Sequence, residues 1–243
     1  MKCQAFPSED ALAAALGRTV VDTIGRLPGV VLGLPTGRTP LGLYAELVRL
    51  TEAEHADWFD VRTFNLDEFV GLAPNEPGSY RAFMQERLFR HVNIRSEHIG
   101  FLDGTARDVE AECERYERAI AAAGGIDLLV LGIGANGHIG FNEPADALVA
   151  RTHLIRLDAP TRAANALWFG GDVLQVPRQA LTMGMATILG ARAIVLIATG
   201  EAKADAVGAM LYGDVTTAVP ASFLQLHPQV SVMLDQSLAD QLP

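Results

Sequence analysis

The sequence predicts a single α/β domain over residues 1–243, with a Rossmann-like, mostly parallel sheet and helices on both faces. Two observations predict this fold. Short runs rich in valine, isoleucine and leucine recur along the chain, bounded by glycine and proline, as in strands covered on both faces. Stretches with spaced apolar positions, typical of helices, alternate with these runs. No Ser/Gly-rich linker or internal repeat divides the chain, which favours one domain.

The elements follow from these runs in chain order. The strong strand candidates are 29–35, 61–66, 126–134 and 191–200. The weaker strand candidates are 98–102, 152–157, 180–185 and 230–234. The helix candidates are 9–26, 40–50, 78–91, 106–123, 160–168 and 201–211. Because ligands of open α/β sheets bind beyond the carboxyl ends of the strands, the polar residues after each strong run are the candidates for a site.

The composition excludes several classes of protein. Hydrophobic residues make up 49% and charged residues 20% of the chain, so a folded domain with a sizeable core is expected. The formal net charge of −10 argues against a nucleic-acid-binding protein, which would show a basic face. Because this charge repels anions, an anionic substrate would need a local positive site.

The amino-terminal residues and the cysteines predict a cytoplasmic protein. The start, MKCQAFPSEDALAAALG, lacks the apolar core of a signal peptide. No apolar run approaches the ~18 residues of a membrane span. The two cysteines, Cys3 and Cys113, are fewer than a secreted disulfide scaffold carries. We therefore expect two reduced thiols and no membrane association.

Two strand ends carry groups that fit a phosphate. After the run 29–35 comes TGRTP, where Thr36 and Thr39 offer hydroxyls in front of a predicted helix whose free N–H groups would point at the loop. An ordinary turn capped by Thr39 explains the same residues, and the P-loop pattern is missing. Lys203 follows the run 191–200 at a helix start, where a cation is disfavoured unless an anion also binds. The alternative there is an exposed lysine.

Two other strand ends carry acid–base groups. Asp67 and Glu68 are adjacent after the run 61–66, so in an extended segment they point to opposite sides and at most one faces a site. A solvated acidic turn is the alternative. After the run 126–134 comes ANGHIGFNEP, and a turn tolerates Asn136 but has no need of His138 or Glu143. We interpret this loop as functional.

Together these groups predict acid–base chemistry on a small phosphorylated substrate without a cofactor. No residues have the Cys/His/Asp spacing of a metal centre, so no metal is expected. The G-x-G in GIGANG lacks the third glycine and the later acidic residue of a dinucleotide-binding site. No G-x-S-x-G nucleophile motif is present.

The chain resembles the glucosamine-6-phosphate deaminase family nearly end to end. The most specific pieces are FNLDE (64–68) and GHIGFNEP (137–144). Further matching segments are LGLPTGRTPLGLY (32–44), SYRAFMQERLF (79–89), TRAANALWF (161–169), ALTMGMATIL (180–189) and LQLHP (224–228). The resemblance implies a hydrolase that converts glucosamine 6-phosphate and water to fructose 6-phosphate and ammonia, in amino sugar catabolism.

The resemblance also implies roles for named residues. His138 would carry the ring-oxygen proton during ring opening, with Glu143 and Asn136 assisting. Asp67 would move a proton from C2 to C1. The predicted phosphate-binding residues are Thr36, Gly37, Arg38, Thr39, Arg162 and Lys203. Two positions depart from the family: Asn136, acidic in some members, is assigned an orienting role, and Arg38, usually a small residue, either adds charge near the phosphate or points to solvent.

Several alternatives remain at this level. A galactosamine-6-phosphate deaminase differs by contacts that the sequence does not locate, and a non-catalytic sugar-phosphate sensor would tend to lose the acid–base groups. A 6-phosphogluconolactonase would typically show a GHxxSLFP-like segment in place of GHIGFNEP. The residues 145–175 resemble a mobile lid. The family includes monomers and hexamers, so a homo-oligomer is possible. Asp146, Ala147, His153 and Ile155 make a poor effector-phosphate site, so no activation by N-acetylglucosamine 6-phosphate is expected.

Overall fold

The computed structural model describes all residues 1–243 and contains ten strands in two sheets. The strands are β1 (Lys2–Phe6), β2 (Val31–Leu34), β3 (Arg62–Asn65), β4 (Asp67–Phe69), β5 (Ile99–Gly100), β6 (Leu128–Gly132), β7 (His153–Arg156), β8 (Gln179–Thr182), β9 (Ala193–Ala198) and β10 (Val230–Asp235). Seven of them form a sheet in the order β1-β10-β9-β6-β2-β3-β5, and every pairing in it is parallel. The predicted α/β class with a parallel sheet is confirmed.

Helices cover both faces of this sheet. They are α1 (Glu9–Arg26), α2 (Leu41–Glu54), α3 (Tyr80–Arg87), α4 (Val109–Ala122), α5 (Ala159–Asn165), α6 (Met185–Leu189), α7 (Ala204–Tyr212) and α8 (Gln236–Ala239). Side chains alternate along the central strand β6. Leu128 and Val130 join the core with α1, α2 and α3, whereas Leu129 and Leu131 join the core with α4, α6, α7 and α8. A strand buried on both faces must be apolar at every position, which is why continuous apolar runs identified the central strands.

The second sheet has three antiparallel strands in the order β4-β8-β7. It includes two segments, 152–157 and 180–185, that the sequence placed among the candidate strands of a mostly parallel sheet. Both are strands, but they do not belong to the parallel sheet. Strand β7 alternates half-buried and exposed residues, as an edge strand with one covered face does. Apolar patterning alone does not state which partner a short strand pairs with.

Two strands carry no apolar run and were not predicted. Strand β1 pairs only with β10 and leaves Lys2–Ala5 exposed, so its sequence is largely polar. Strand β4 is the acidic segment that directly follows β3. The helix predicted at 160–168 ends at Asn165 and continues as a 3₁₀ turn over Ala166–Phe169. None of the eight helices combines the length and the apolarity that crossing a bilayer requires.

The strand order reverses between β2 and β6. From β2 the chain moves outward through β3 to β5, returns to β6 on the other side of β2, and then moves outward through β9 to β10. The loops after β2 and β6 therefore leave the same edge in opposite directions. Such a reversal opens a crevice beyond the carboxyl ends of the strands, where ligands of this fold class bind.

The loop that follows β5 packs closely against strand β4 and the residues after it. Gly71 donates a backbone hydrogen bond to the Gly104 carbonyl at 2.7 Å. A Cβ atom added to Gly104 would lie 2.1 Å from the backbone oxygen of Phe69. Only glycine therefore allows this loop to approach β4 so closely.

We expect Gly104→Ala to destabilise the fold, because the new methyl group forces β4 and the loop apart. The cost of such overpacking is about 1–3 kcal/mol, which is a fall in Tm of about 2–4 °C per kcal/mol for a chain of this size. Thermal unfolding checks it. The matched control is Gly25→Ala on exposed α1, where an added Cβ meets nothing within 4 Å; that change should raise stability by about 0.5–1 kcal/mol. Equal Tm values for the two variants would contradict the close approach.

Candidate active site

Asp67 lies at the first position of β4 with its carboxylate buried. It pairs with Thr182 across the β4-β8 ladder, and its Oδ2 atom lies 3.7 Å from the position that a Cβ on Gly140 would take. No hydrogen-bond donor satisfies the carboxylate in the structure. Burial, and then the neighbouring charge of Glu68, raise the pKa of Asp67 to about 8. A carboxylate held this way is a strong base for its type.

Glu68 points to the other side of β4, as the sequence predicted for adjacent residues of an extended segment. Its carboxylate accepts hydrogen bonds from the Ser79 hydroxyl at 2.9 Å and from the backbone N–H groups of Tyr80 and Arg81 at 3.0 Å. These are the cap and the first two positions of α3, whose free N–H groups favour a negative charge. Burial nevertheless raises the pKa of Glu68. Glu68 anchors α3 and leaves Asp67 alone in the crevice.

His138 and Glu143 meet in the loop after β6. The His138 Nδ1 atom lies 3.2 Å from the Oε2 atom of Glu143, whose side chain is 5% exposed. Asn136 donates from Nδ2 to the same Oε2 at 2.8 Å, and its Oδ1 accepts from the His138 backbone N–H at 3.2 Å. Burial opposes ionisation of Glu143, but the contacts with His138, Thr161 and Asn136 outweigh it and hold the pKa of Glu143 below its usual value.

Glycine makes room for this arrangement. A Cβ on Gly134 would lie 2.3–2.5 Å from three atoms of the His138 ring, so the ring packs directly on bare backbone. Gly134 also donates its N–H to the His138 carbonyl at 2.9 Å. Gly137 has a φ of +85° and a Cβ there would meet Val219 at 2.8 Å. These glycines set the position of the imidazole.

Thr161, on α5, completes the support of Glu143, and sequence reasoning did not single it out. Its hydroxyl donates to Glu143 Oε1, and Asn165 Nδ2 in turn donates to the Thr161 carbonyl at 2.9 Å. The Tyr80 hydroxyl donates to Asn165 Oδ1 at 2.9 Å. A threonine among helix residues gives no sequence signal of a contact 18 residues away. The segment that was predicted to be a lid therefore contributes a contact to the His–Glu pair.

The loop after β2 presents unused donors. Gly37 has a φ of +98° and no atom within 4 Å of an added Cβ, and the backbone N–H groups of 36–39 donate no hydrogen bond within the protein. The alternative of an ordinary capped turn is not what the structure has: α2 begins after Pro40, with no side-chain cap from Thr39. Tyr44 holds the base of the loop by donating to the Pro35 carbonyl. Successive free N–H groups ahead of a helix form a concave site for an anion.

Lys203 is a half-buried cation with no ion-pair partner. It ends the 3₁₀ turn Glu201–Lys203 and starts α7. Burial lowers its pKa. The turn is fixed by Gly200, whose φ is +82° and whose N–H donates to Asp235 at 3.0 Å. A cation desolvated without a partner is costly, so the site is suited to an incoming anion.

The other two predicted phosphate-binding side chains differ from this arrangement. Arg162 uses its guanidinium on the protein itself: Nε and Nη2 donate to the Val176 carbonyl at 3.2 and 2.9 Å, and Nη2 donates to the Val173 carbonyl at 2.7 Å. It makes no hydrogen bond with the 36–39 loop. Arg38 is exposed and forms no ion pair. Their roles stay predictions.

The sheet order brings the remaining groups to one edge. The loops of β9, β6, β2 and β3 follow one another in the sheet, so the His138 loop lies between the loop of Lys203 and the loop of Thr36–Thr39, and Asp67 follows β3. A buried carboxyl, a His–Glu pair, the unused N–H groups of 36–39 and the ammonium of Lys203 thus follow neighbouring strands at one edge of the sheet. This arrangement can move protons to and from a small anionic substrate.

Known proteins that are similar to this chain act on sugar phosphates, by their names. The family model described as glucosamine-6-phosphate isomerases/6-phosphogluconolactonase matches residues 7–233. Glucosamine-6-phosphate deaminase 2 of Bacillus subtilis (strain 168) is 51% identical over 213 residues, which is 87% of this chain and 86% of that protein. The glucosamine-6-phosphate deaminase of Clostridium acetobutylicum is 43% identical over 242 residues and covers 100% of both chains.

Solved structures share the fold. A monomeric glucosamine-6-phosphate deaminase superposes with a TM-score of 0.96 at 41% identity, over 99% of this chain and 100% of that one. A 6-phosphogluconolactonase from Trypanosoma cruzi superposes with a TM-score of 0.76 at 20% identity, over 98% and 96% of the two chains. At that identity the second likeness concerns the fold alone.

We expect Asp67→Asn to stabilise the fold increasingly as the pH rises from 4 to 8. Folding raises the pKa of Asp67 from 3.8 to about 8, so between these values the folded state binds more protons than the unfolded state. Its contribution to the free energy of unfolding therefore falls as the pH rises through this window. Thermal unfolding of both proteins across the window measures the difference.

The control is an aspartate whose pKa is lowered by folding instead of raised. Asp57 is exposed, and hydrogen bonds from Asn93 and the Phe59 N–H lower its pKa. Asp57→Asn should therefore leave stability unchanged or lower it at neutral pH. A difference between Asp67→Asn and the parent protein that stays constant from pH 4 to 8 would contradict the burial of an ionisable carboxyl.

Proposed function

The chain belongs to the glucosamine-6-phosphate isomerase/6-phosphogluconolactonase family, and we propose that it is a glucosamine-6-phosphate deaminase of that family. The observation that carries this is the identity of 42–51% to curated deaminases over most of the chain, against about 20% to solved lactonases. The chain is an enzyme that converts D-glucosamine 6-phosphate and water to D-fructose 6-phosphate and ammonia. The reaction opens the sugar ring, shifts an aldose to a ketose and hydrolyses an imine.

Residues of the loop after β6 catalyse ring opening. His138 takes the proton of the O1 hydroxyl and delivers it to the ring oxygen, which breaks the C1–O5 bond and forms the aldehyde. The contact with Glu143 orients the imidazole. Asn136 cannot relay a proton, and its two hydrogen bonds, to Glu143 and from the His138 N–H, support an orienting role.

The aldose–ketose shift falls to Asp67. Its ionised carboxylate takes the proton from C2 while the ammonium group of the substrate gives a proton to O1, which leaves an enolamine. The acid so formed on Asp67 then delivers its proton to C1. This gives the iminium at C2, which water converts to the ketone and ammonia. A general base of this kind contributes about 10²–10⁴-fold. A pKa of about 8 supports both halves of the step, because the same group must accept and then release a proton near neutral pH.

The loop after β2 and Lys203 bind the phosphate of the substrate. The free N–H groups of 36–39, the hydroxyls of Thr36 and Thr39 and the unpaired ammonium of Lys203 are the donors available at this edge. Gly37 lets the backbone approach the anion closely. Arg162 joins this set only if its guanidinium leaves the carbonyls of the lid segment when substrate binds. The role of Arg38, which is exposed, stays open between adding charge near the phosphate and pointing to solvent.

The partners follow from the chemistry. The substrate is a sugar phosphate, and the reaction consumes only water besides, so no cofactor is proposed. We propose a cytoplasmic location, which is consistent with two unpaired cysteines, Cys3 and Cys113. The possible homo-oligomer and the mobile lid at 145–175 stay predictions.

The test of the function follows two products. Purified protein without added metal or nucleotide should release ammonia and fructose 6-phosphate in equal amounts from glucosamine 6-phosphate. Galactosamine 6-phosphate, assayed in parallel, should be the poorer substrate. Asp67→Asn should abolish turnover and keep substrate binding. Turnover only of the galactosamine epimer would change the substrate, and binding without turnover of either would favour a sensor.

We expect kcat/KM to rise with pH until about pH 8 and to level off above it. Below its pKa of about 8 the Asp67 carboxyl is protonated in the free enzyme and cannot act as a base, so kcat/KM should fall by about tenfold per pH unit well below that value. Initial rates at low glucosamine 6-phosphate concentration give the profile. A profile that is level from pH 6.5 to 8.5 would contradict the raised pKa of Asp67 in the free enzyme.

A further inference from the structure

The aromatic ring of Tyr80 packs between two segments that carry predicted catalytic groups. Tyr80 is the first residue of α3 and is 5% exposed. Its ring stacks on Phe141 of the loop after β6, with centroids 6.0 Å apart and planes at 18°. It also packs on Phe69 of β4, with centroids 4.7 Å apart. The ring is therefore fixed between the strand of Asp67 and the loop of His138, although no step of the proposed reaction uses it.

The Tyr80 hydroxyl lies between α5 and the loop after β2. It donates to Asn165 Oδ1 at 2.9 Å. Burial, and then the charge of Asp67, raise the pKa of Tyr80 well above its ordinary value, so the hydroxyl keeps its proton near neutral pH. The Thr36 side chain lies within hydrogen-bonding reach of the same hydroxyl and acts on the pKa in the opposite direction. One hydroxyl therefore contacts both the predicted phosphate loop and the helix that supports Glu143.

From Asn165 the hydrogen bonds continue to the His–Glu pair. Asn165 Nδ2 donates to the Thr161 carbonyl at 2.9 Å, and the Thr161 hydroxyl donates to Glu143 Oε1. Glu143 Oε2 lies 3.2 Å from His138 Nδ1. The path from the Tyr80 hydroxyl to the imidazole therefore runs through one short helix, α5, and one carboxylate.

We propose that Tyr80 is a positioning residue that couples phosphate binding at the loop 36–39 to the alignment of His138. The Thr36 hydroxyl has a single proton, so a phosphate that accepts this proton removes it from Tyr80. The Tyr80 hydroxyl then shifts relative to Asn165, and α5 shifts relative to Glu143. Binding energy of the phosphate, which is remote from the reacting carbons, is in this way used to orient the imidazole. The proposal rests on the proposed function only in that this loop binds the phosphate of the substrate.

The test follows the His138 imidazole by NMR while inorganic phosphate is added to protein with ¹³C-labelled histidine. The chain has six histidines, and His138→Asn identifies the resonance. Saturating phosphate should shift this resonance in the parent protein. Tyr80→Phe keeps the ring and removes the hydroxyl, so it should bind phosphate in equilibrium dialysis but show half of that shift or less. Asn165→Ala breaks the next hydrogen bond of the path and should have the same effect, which provides a second variant if Tyr80→Phe does not fold.

The control removes another buried tyrosine hydroxyl. Tyr116 is buried as well, but its hydroxyl donates to the Asn65 carbonyl and contacts neither α5 nor the loop 36–39. Tyr116→Phe should therefore keep the full response of His138 to phosphate. An equal response in the parent and in Tyr80→Phe, or an equal loss in both tyrosine variants, would overturn the coupling. Binding of phosphate without any response in the parent would do the same, whereas no binding would overturn the phosphate site as well.

Turnover provides a second readout. Tyr80→Phe should lower kcat about tenfold and leave KM within about twofold, because the phosphate still binds but no longer aligns the imidazole. A raised KM with unchanged kcat would make Tyr80 part of the phosphate site and would contradict the coupling. The NMR measurement needs no turnover, so failure of the deaminase activity and failure of the coupling give different results.

Discussion

The backbone around Thr182 and Met183 holds the two halves of the catalytic site at a fixed spacing. Thr182 pairs with Asp67 and accepts from the Phe141 N–H at 3.1 Å. Met183 donates to the Leu66 carbonyl at 2.7 Å and accepts from Asn142 Nδ2 at 2.8 Å. These two consecutive residues therefore contact both the segment of Asp67 and the loop of the His–Glu pair. The small antiparallel sheet serves this purpose, since the parallel sheet alone leaves both loops free at its edge.

The two carboxyl groups on either side of this junction have opposite environments. Asp67 is buried and receives no donor, so its pKa is raised, whereas Glu143 is buried among His138, Thr161 and Asn136 and has a lowered pKa. Environments that separate the pKa values of neighbouring acids assign them different roles. The carboxyl with the raised value exchanges a proton with the substrate, and the carboxylate with the lowered value stays ionised and serves the imidazole. Burial alone would raise both, and the difference comes from the donors.

Much of this could be predicted from the sequence, for reasons visible in particular residues. Continuous apolar runs located β2, β6 and β9 because those strands are covered on both faces. The polar groups after these strands and after β3, including His138 and Asp67, could be placed in one crevice because parallel strands end at the same edge. The small sheet could not be predicted, since short strands do not encode their partners. Thr161 and the carbonyl contacts of Arg162 depend on where α5 packs, which no local pattern records.

The hydroxyl of Thr161 has a consequence for the linkage between protonation and shape. It is part of the environment that keeps Glu143 ionised. It sits on a helix whose other side-chain hydrogen bonds join Asn165 to Tyr80 and Arg162 to the carbonyls of Val173 and Val176. Protonation of Glu143 weakens its hydrogen bond with Thr161 and so destabilises the position of α5. Because such coupling is reciprocal, displacement of α5 favours protonation of Glu143 by the same free energy. The proton is in this sense an effector of the segment. The protonation state of Glu143 and the position of α5 therefore depend on each other.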